Sequence, residues 1–87
     1  MDVAARFGEN LVRCRKAAGL SQEDLSFRAS LHRTEIGMLE RGIRLARVDT
    51  LVKLAGALGV RPEELLEGLV WTPAEPRPGQ FGLRDQG

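Results

Sequence analysis

The stretch Leu20–Gly42, "LSQEDLSFRASLHRTEIGMLERG", decides how this chain is read. Ser21 stands where a helix needs an N-cap, and Asp24, three residues on, completes a variant capping box with a shorter acid than usual. Negative charge on that first turn also suits the helix dipole. A helix from Gln22 to about Ala29 is therefore expected, followed by a very short break at Ser30 and Leu31. The next helix runs from about His32 to Arg41, with Ile36 and Leu39 as its buried stripe and Gly42 as its stop. Its outward face offers Arg33, Thr34, Gly37, Met38 and Arg41, while Glu40 is kept beside Ile36 and Leu39.

On either side the periodicity is also helical. Val3, Phe7, Leu11, Cys14 and Ala18 follow steps of four and three before Gly19, which predicts a first helix over Val3–Ala18. Val48, Leu51, Leu54, Ala55 and Leu58 predict a fourth helix that ends at Gly59. Pro62 at a first-turn position, followed by Glu63, Glu64, Leu65 and Leu66, predicts a fifth helix of one or two turns that stops at Gly68. No segment shows a convincing period of two, so the expected fold class is all-α, a compact five-helix domain over residues 1–68. Residues 69–87 contain Pro73, Pro76, Pro78 and several glycines, a composition that favours an extended or mobile tail or a place at a dimer interface.

Eighty-seven residues support one modest core and no second domain. No apolar run approaches the ~18 residues that a membrane span requires, and the first residues carry no secretory pattern, so a soluble cytoplasmic protein is expected. One cysteine, Cys14, and one histidine, His32, leave neither a disulfide nor a zinc constellation, and no cofactor is implied. Cys14 is expected as a small buried hydrophobe. The net charge is only +1, so an anionic partner must be met by local charge. Between residues 28 and 47 the bases are Arg28, Arg33, Arg41, Arg44 and Arg47, against Glu35 and Glu40 alone.

Two short helices joined by so short a turn, the second with a basic and polar outward surface, have the geometry of a helix-turn-helix whose second helix enters the DNA major groove. The ordered set "GLSQEDL", "RTEI", "LERG", "DTLVKLAGALGV" and "PEELL" resembles the Xre family of phage-repressor and Cro type, the lambda-repressor-like fold, over about Phe7–Gly68. The resemblance implies a double-stranded DNA partner lying across the start of the second helix and along the third. It places Gln22, Arg33, Thr34 and, one turn on, Met38 at the bases, and Ser21, Gln22, Arg41, Arg44 and Arg47 at phosphates.

The residue chemistry fits those places. An arginine can give guanine a bidentate pair, and a threonine offers a hydroxyl or a methyl. Met38, where relatives often carry a longer polar residue, can touch only a thymine methyl or an apolar neighbour. Guanidinium groups on the connection bind phosphate with little base information. Glu35 more often pairs with an arginine than reads cytosine and is left out of the set, and His32 is expected to cap its helix or face solvent. Gly37 sacrifices ~1 kcal/mol of helix propensity relative to alanine, in exchange for a closer approach to the groove. A half-buried carboxylate needs a partner, and Arg15 lies on the same side of its helix as Leu11 and Cys14, so an Arg15 to Glu40 ion pair is expected.

Arg47 and Arg61 stand where relatives carry helix caps, and losing a cap costs ~0.5–2 kcal/mol unless other groups satisfy those amides. Phe27 is expected either in a dimer contact or folded against the first helix, and Trp71 either folded back on the fifth helix or on a partner. The function expected is a sequence-specific transcriptional regulator acting as a homodimer on a palindromic operator, since two half-sites multiply specificity. A restriction-modification controller protein or an antitoxin has the same fold. From another class, a protein-interaction module that has lost DNA reading is favoured by Met38, Phe27 and the near-neutral charge. No paired acid and base, activated nucleophile or Gly-rich phosphate loop points to an enzyme.

Overall fold

The computed structural model of the protein describes residues 2–84. Five helices, α1 (Val3–Ala17), α2 (Gln22–Ala29), α3 (Arg33–Glu40), α4 (Val48–Leu58) and α5 (Pro62–Leu65), precede two strands, β1 (Leu69–Thr72) and β2 (Gln80–Leu83). Met1 and residues 85–87, the last three of the expected tail, lie outside the described residues.

The helices start and stop for identifiable reasons. The Asp2 carboxylate caps α1 by accepting from the Ala4 and Ala5 amides at 3.0 and 3.3 Å. At α2 the Ser21 hydroxyl accepts from the Asp24 amide at 2.9 Å, and the Asp24 carboxylate accepts from the Ser21 amide at 3.1 Å, so both halves of the capping box form. The backbone N–H of Ser21 first, and its hydroxyl second, hold the Asp24 carboxyl below its ordinary range. The turn into α3 hinges on Ser30, whose φ of 54° lies in the left-handed region, while the Leu31 amide donates back to the Ser26 carbonyl at 2.9 Å. His32 occupies the N-cap position of α3 but makes no capping hydrogen bond with its side chain.

The two later caps are rebuilt from other groups. Arg47 gives α4 no side-chain cap, and the Asp49 carboxylate accepts from the Thr50 amide at 2.9 Å instead. At α5 the Glu64 carboxylate reaches back to accept from the Arg61 amide at 2.8 Å.

Phe7, Leu11, Leu25, Ile36, Leu39, Leu54, Leu58 and Leu65 close over one another as the core, with Cys14 buried at its edge. Burial pushes the Cys14 thiol above its ordinary pKa, which suits an inert apolar filler. Asn10 is fully buried on the same face of α1. Its amide donates to the carbonyls of Leu65 and Glu67, both at 3.0 Å, and its oxygen accepts from Arg13 at 2.9 Å, so α5 is tied to α1 by satisfied polar contacts. Arg13, exposed on α1, thus spans to Asn10 and on to Glu67 at 2.9 Å.

The all-α expectation fails at the C-terminal end. Residues 69–83 form an antiparallel hairpin in which Leu69 pairs with Leu83, Val70 with Gly82, Trp71 with Phe81 and Thr72 with Gln80. Directly opposed residues share a face of a sheet, so Leu69, Trp71, Phe81 and Leu83 lie on one side. Trp71 therefore sits on a strand with Phe81 against it, rather than folded back on α5. Phe27 is 87% exposed, which removes the alternative that it folds against α1.

Two glycines and one ion pair fix α3. A Cβ at Gly8 would lie 2.6 Å from the carbonyl oxygens of Leu39 and Glu40, so only glycine lets α1 meet the end of α3 at this distance. Gly42, with φ of 73°, ends α3 against the Ala5 backbone, where a Cβ would approach to 2.8 Å. Between them the Glu40 side chain, only 5% exposed, faces Arg15. Arg15 donates through Nε to Oε2 at 2.6 Å and through Nη2 to Oε1 at 3.1 Å, and its Nη1 donates to the Leu20 carbonyl at 2.9 Å. This is a bidentate, charge-assisted pair, with a further bond from Arg15 to the backbone.

Three outcomes follow for urea unfolding of the isolated protein. Glu40→Ala strands the Arg15 charge and is expected to cost about 3–5 kcal/mol, whereas the apolar double variant Arg15→Met, Glu40→Leu retains most of the stability; a Glu40→Ala cost below about 1 kcal/mol would mean an ordinary surface pair. Gly8→Ala is expected to lose about 1–3 kcal/mol by overpacking. Gly37→Ala, whose Cβ meets only the Arg41 guanidinium at 4.0 Å, is expected to gain up to about 1 kcal/mol of helix propensity.

Candidate nucleic-acid interface

Gln22 opens α2 and Arg33 and Thr34 open α3, so the tight turn at Ser30 brings both helix starts to one side of the molecule. Gln22, Arg33, Thr34, Gly37 and Arg41 together line a single open depression of about 300 Å³. Arg33, Thr34 and Arg41 are exposed, and Gly37, without a side chain, leaves the depression open between them. Arg41 is held along the helix by its Nε, which donates to the Gly37 carbonyl at 3.2 Å.

The inner anchor of α3 also reaches this surface. Gln22 Nε2 donates to Glu40 Oε1 at 2.9 Å, so one carboxylate accepts from Arg15 on α1 and from Gln22 on α2. One N–H and the carbonyl oxygen of the Gln22 amide remain for an outside partner. Because Arg15 offsets the Glu40 charge, the depression does not present a bare carboxylate to an incoming anion.

The other expected site residues are placed differently. Ser21 is exposed beside Gln22, with its hydroxyl oxygen accepting in the cap. Met38 is half-buried and does not line the depression. Arg44 is exposed on the connection after α3, and Arg47 is exposed at the start of α4, 3.3 Å from the Asp49 carboxylate, a solvated pair of little energy. Arg28, counted among the bases of the middle segment, instead donates through Nε to the Ala57 carbonyl at 2.9 Å and completes the C-terminal end of α4.

Sequence reasoning missed the Gln22 to Glu40 link and the Asn10 anchor. Asn10 falls on the buried stripe beside Phe7, Leu11 and Cys14, and an amide at such a position is a readable signal for a buried polar tie. The Gln22 link joins residues eighteen apart on different helices and has no local signal. Among the described residues no group of acids, histidine and cysteine is placed to hold a metal ion, and no helix is long and apolar enough to cross a membrane.

Comparison with known proteins gives the same architecture. The family described as Helix-turn-helix, HTH_3, matches residues 11–65 and ends before the hairpin. Control protein C.BamHI of Bacillus amyloliquefaciens is 42% identical over 62 residues, 70% of this chain and 76% of that protein. An uncharacterised HTH-type transcriptional regulator, y4dJ of Sinorhizobium fredii, is 39% identical over 84 residues, 97% of this chain and all of that one. The crystal structure of the restriction-modification controller protein C.AhdI from Aeromonas hydrophila superposes with a TM-score of 0.70 at 44% identity, covering 71% of this chain and 94% of that chain. With its five helices, its tight α2–α3 turn and a family match over most of its length, the chain belongs to the HTH_3 helix-turn-helix family.

Proposed function

We propose that this protein is a sequence-specific double-stranded DNA-binding transcriptional regulator that acts as a homodimer in the cytoplasm, with α3 in the major groove. The observation that carries the reading is the single depression bounded by Gln22, Arg33, Thr34, Gly37 and Arg41 at the starts of α2 and α3. Arg33 pairs with a guanine edge, Thr34 and Gln22 add a hydroxyl and an amide, and Met38 contacts a thymine methyl at the rim. The N-terminus of α2, with Ser21 and Gln22, faces one backbone strand, where amide dipoles favour phosphate. Arg41, Arg44 and Arg47 extend the phosphate track along the connection to α4. These groups supply most of the affinity and little of the sequence preference. Gly37 has the role of admitting the duplex: a methyl there would stand in the depression.

The narrower reading as a restriction-modification controller is favoured by the names of two relatives, C.BamHI and C.AhdI, both over 40% identical. The restriction and modification genes beside it would be the observation that separates this from a stand-alone regulator. Neither reading is catalytic.

Selection from a randomised duplex pool, run for the wild type and two variants at two salt concentrations, tests the reading. The wild type enriches a palindrome with half-sites about one helical turn apart. Arg33→Ala is expected to relax preference at one position of each half-site, a loss of about 1–3 kcal/mol on the best duplex. Arg41→Ala keeps the motif, weakens all duplexes alike and lowers the salt slope by about 1 per protomer. Identical effects from the two variants, or no enriched motif with salt-independent binding, would contradict the proposal.

A further inference from the structure

The C-terminal hairpin carries an apolar face that its own chain leaves open. Leu69, Trp71, Phe81 and Leu83 share that face, yet Trp71 is 56% and Phe81 50% exposed. Each strand packs chiefly on the other, and a lone two-stranded hairpin is marginal in water without a surface beneath it. The two rings meet edge to face with centroids 4.9 Å apart and planes at 70°, and the indole lies against the Gly79 backbone, where any Cβ would collide with it.

Leu69 belongs to two surfaces at once. It begins the hairpin's apolar face, and it also lines a shallow apolar groove on the helical body with Leu45, Leu51 and Leu66. Leu45 and Leu66 are themselves exposed. Hairpin face and groove therefore form one continuous apolar strip, and this strip shares no residue with the depression of α2 and α3.

Resting on the homodimer in the reading above, we propose that this strip is the dimer interface, with the hairpin of each copy laid across the Leu45 and Leu66 groove of the other. A strip made of an arm and an adjoining groove is self-complementary under a two-fold rotation, the usual symmetry of a homodimer. Its size also fits a second copy. From the 150–250 Å² that a buried aromatic covers, Trp71 and Phe81 leave on the order of 200 Å² open. With Leu45, Leu66 and Leu83, two copies bury roughly 1,000 Å² of apolar surface, the lower bound for a specific interface. The matched family segment ends at residue 65, so the arm lies outside the family's helical unit. Both recognition surfaces stay free to meet one duplex.

Sedimentation of the full chain over a range of concentrations, read together with emission from Trp71, the only tryptophan, tests the assignment. The wild type is expected to dimerise, with its emission moving to shorter wavelength as the dimer forms. Phe81→Asp on the arm and Leu45→Glu in the groove are each expected to yield monomers with unchanged helical circular dichroism. Phe81→Asp also lowers affinity for a two-half-site duplex by roughly tenfold or more, while leaving single half-site binding unchanged. A wild-type dimer that both variants keep, or whose Trp71 emission stays solvent-like, overturns the arm-and-groove interface but leaves the homodimer standing. A wild type that remains monomeric at all concentrations and on DNA overturns both.

Discussion

The placement of the recognition helix depends on one buried carboxylate. Glu40 ends α3, and by accepting from Arg15 of α1 and Gln22 of α2 it makes the three helices meet at one point. Such a pair gains little over well-packed apolar side chains, because desolvating two charges offsets most of their attraction. What it supplies is direction: a bidentate guanidinium accepts one orientation of the carboxylate, whereas apolar packing tolerates several. Gly8 and Gly42 set the distance at which that orientation is reached, since a Cβ at either would push α1 and α3 apart. The depression of Gln22, Arg33, Thr34 and Arg41 is the outer side of this junction.

The buried junction and the candidate interface are thereby joined through Gln22. Its amide spends one N–H on the inner network and keeps the rest for the outside, so a side chain at the protein surface is pre-positioned by a contact in its interior. Pre-positioning lowers the ordering cost that a free glutamine would meet on binding. Arg41 is treated similarly by its bond to the Gly37 carbonyl. Arg44 and Arg47, by contrast, extend from the connection with at most a solvated contact, as the proposed phosphate contacts would require.

The helical unit was legible in the sequence because its signals are local. The Ser21 and Asp24 box, the stops at Gly19, Gly42 and Gly59, and the stripes of α1 and α4 all act within a few residues, and the helices lie within one or two residues of where those signals put them. The Arg15 to Glu40 contact could be anticipated because both residues fall on apolar faces, where a charge needs a partner. The hairpin could not. Its strands are four residues long, so each offers only two residues per face, too few for a period of two to stand out among prolines and glycines. Gly8 was hidden for a different reason: a glycine in a helix reads as a tolerated weakness until the neighbouring backbone is seen 2.6 Å from its missing Cβ.

The central claim is that the shared face of α2 and α3 meets DNA. The most direct measurement is backbone amide NMR of the wild-type protein titrated with a duplex carrying its selected site. The account predicts that the largest shift changes fall on Ser21, Gln22, Arg33, Thr34, Gly37 and Arg41, with smaller ones along Arg44 and Arg47. Changes confined to the hairpin or to the far side of α4, with those amides unmoved at saturation, would contradict it.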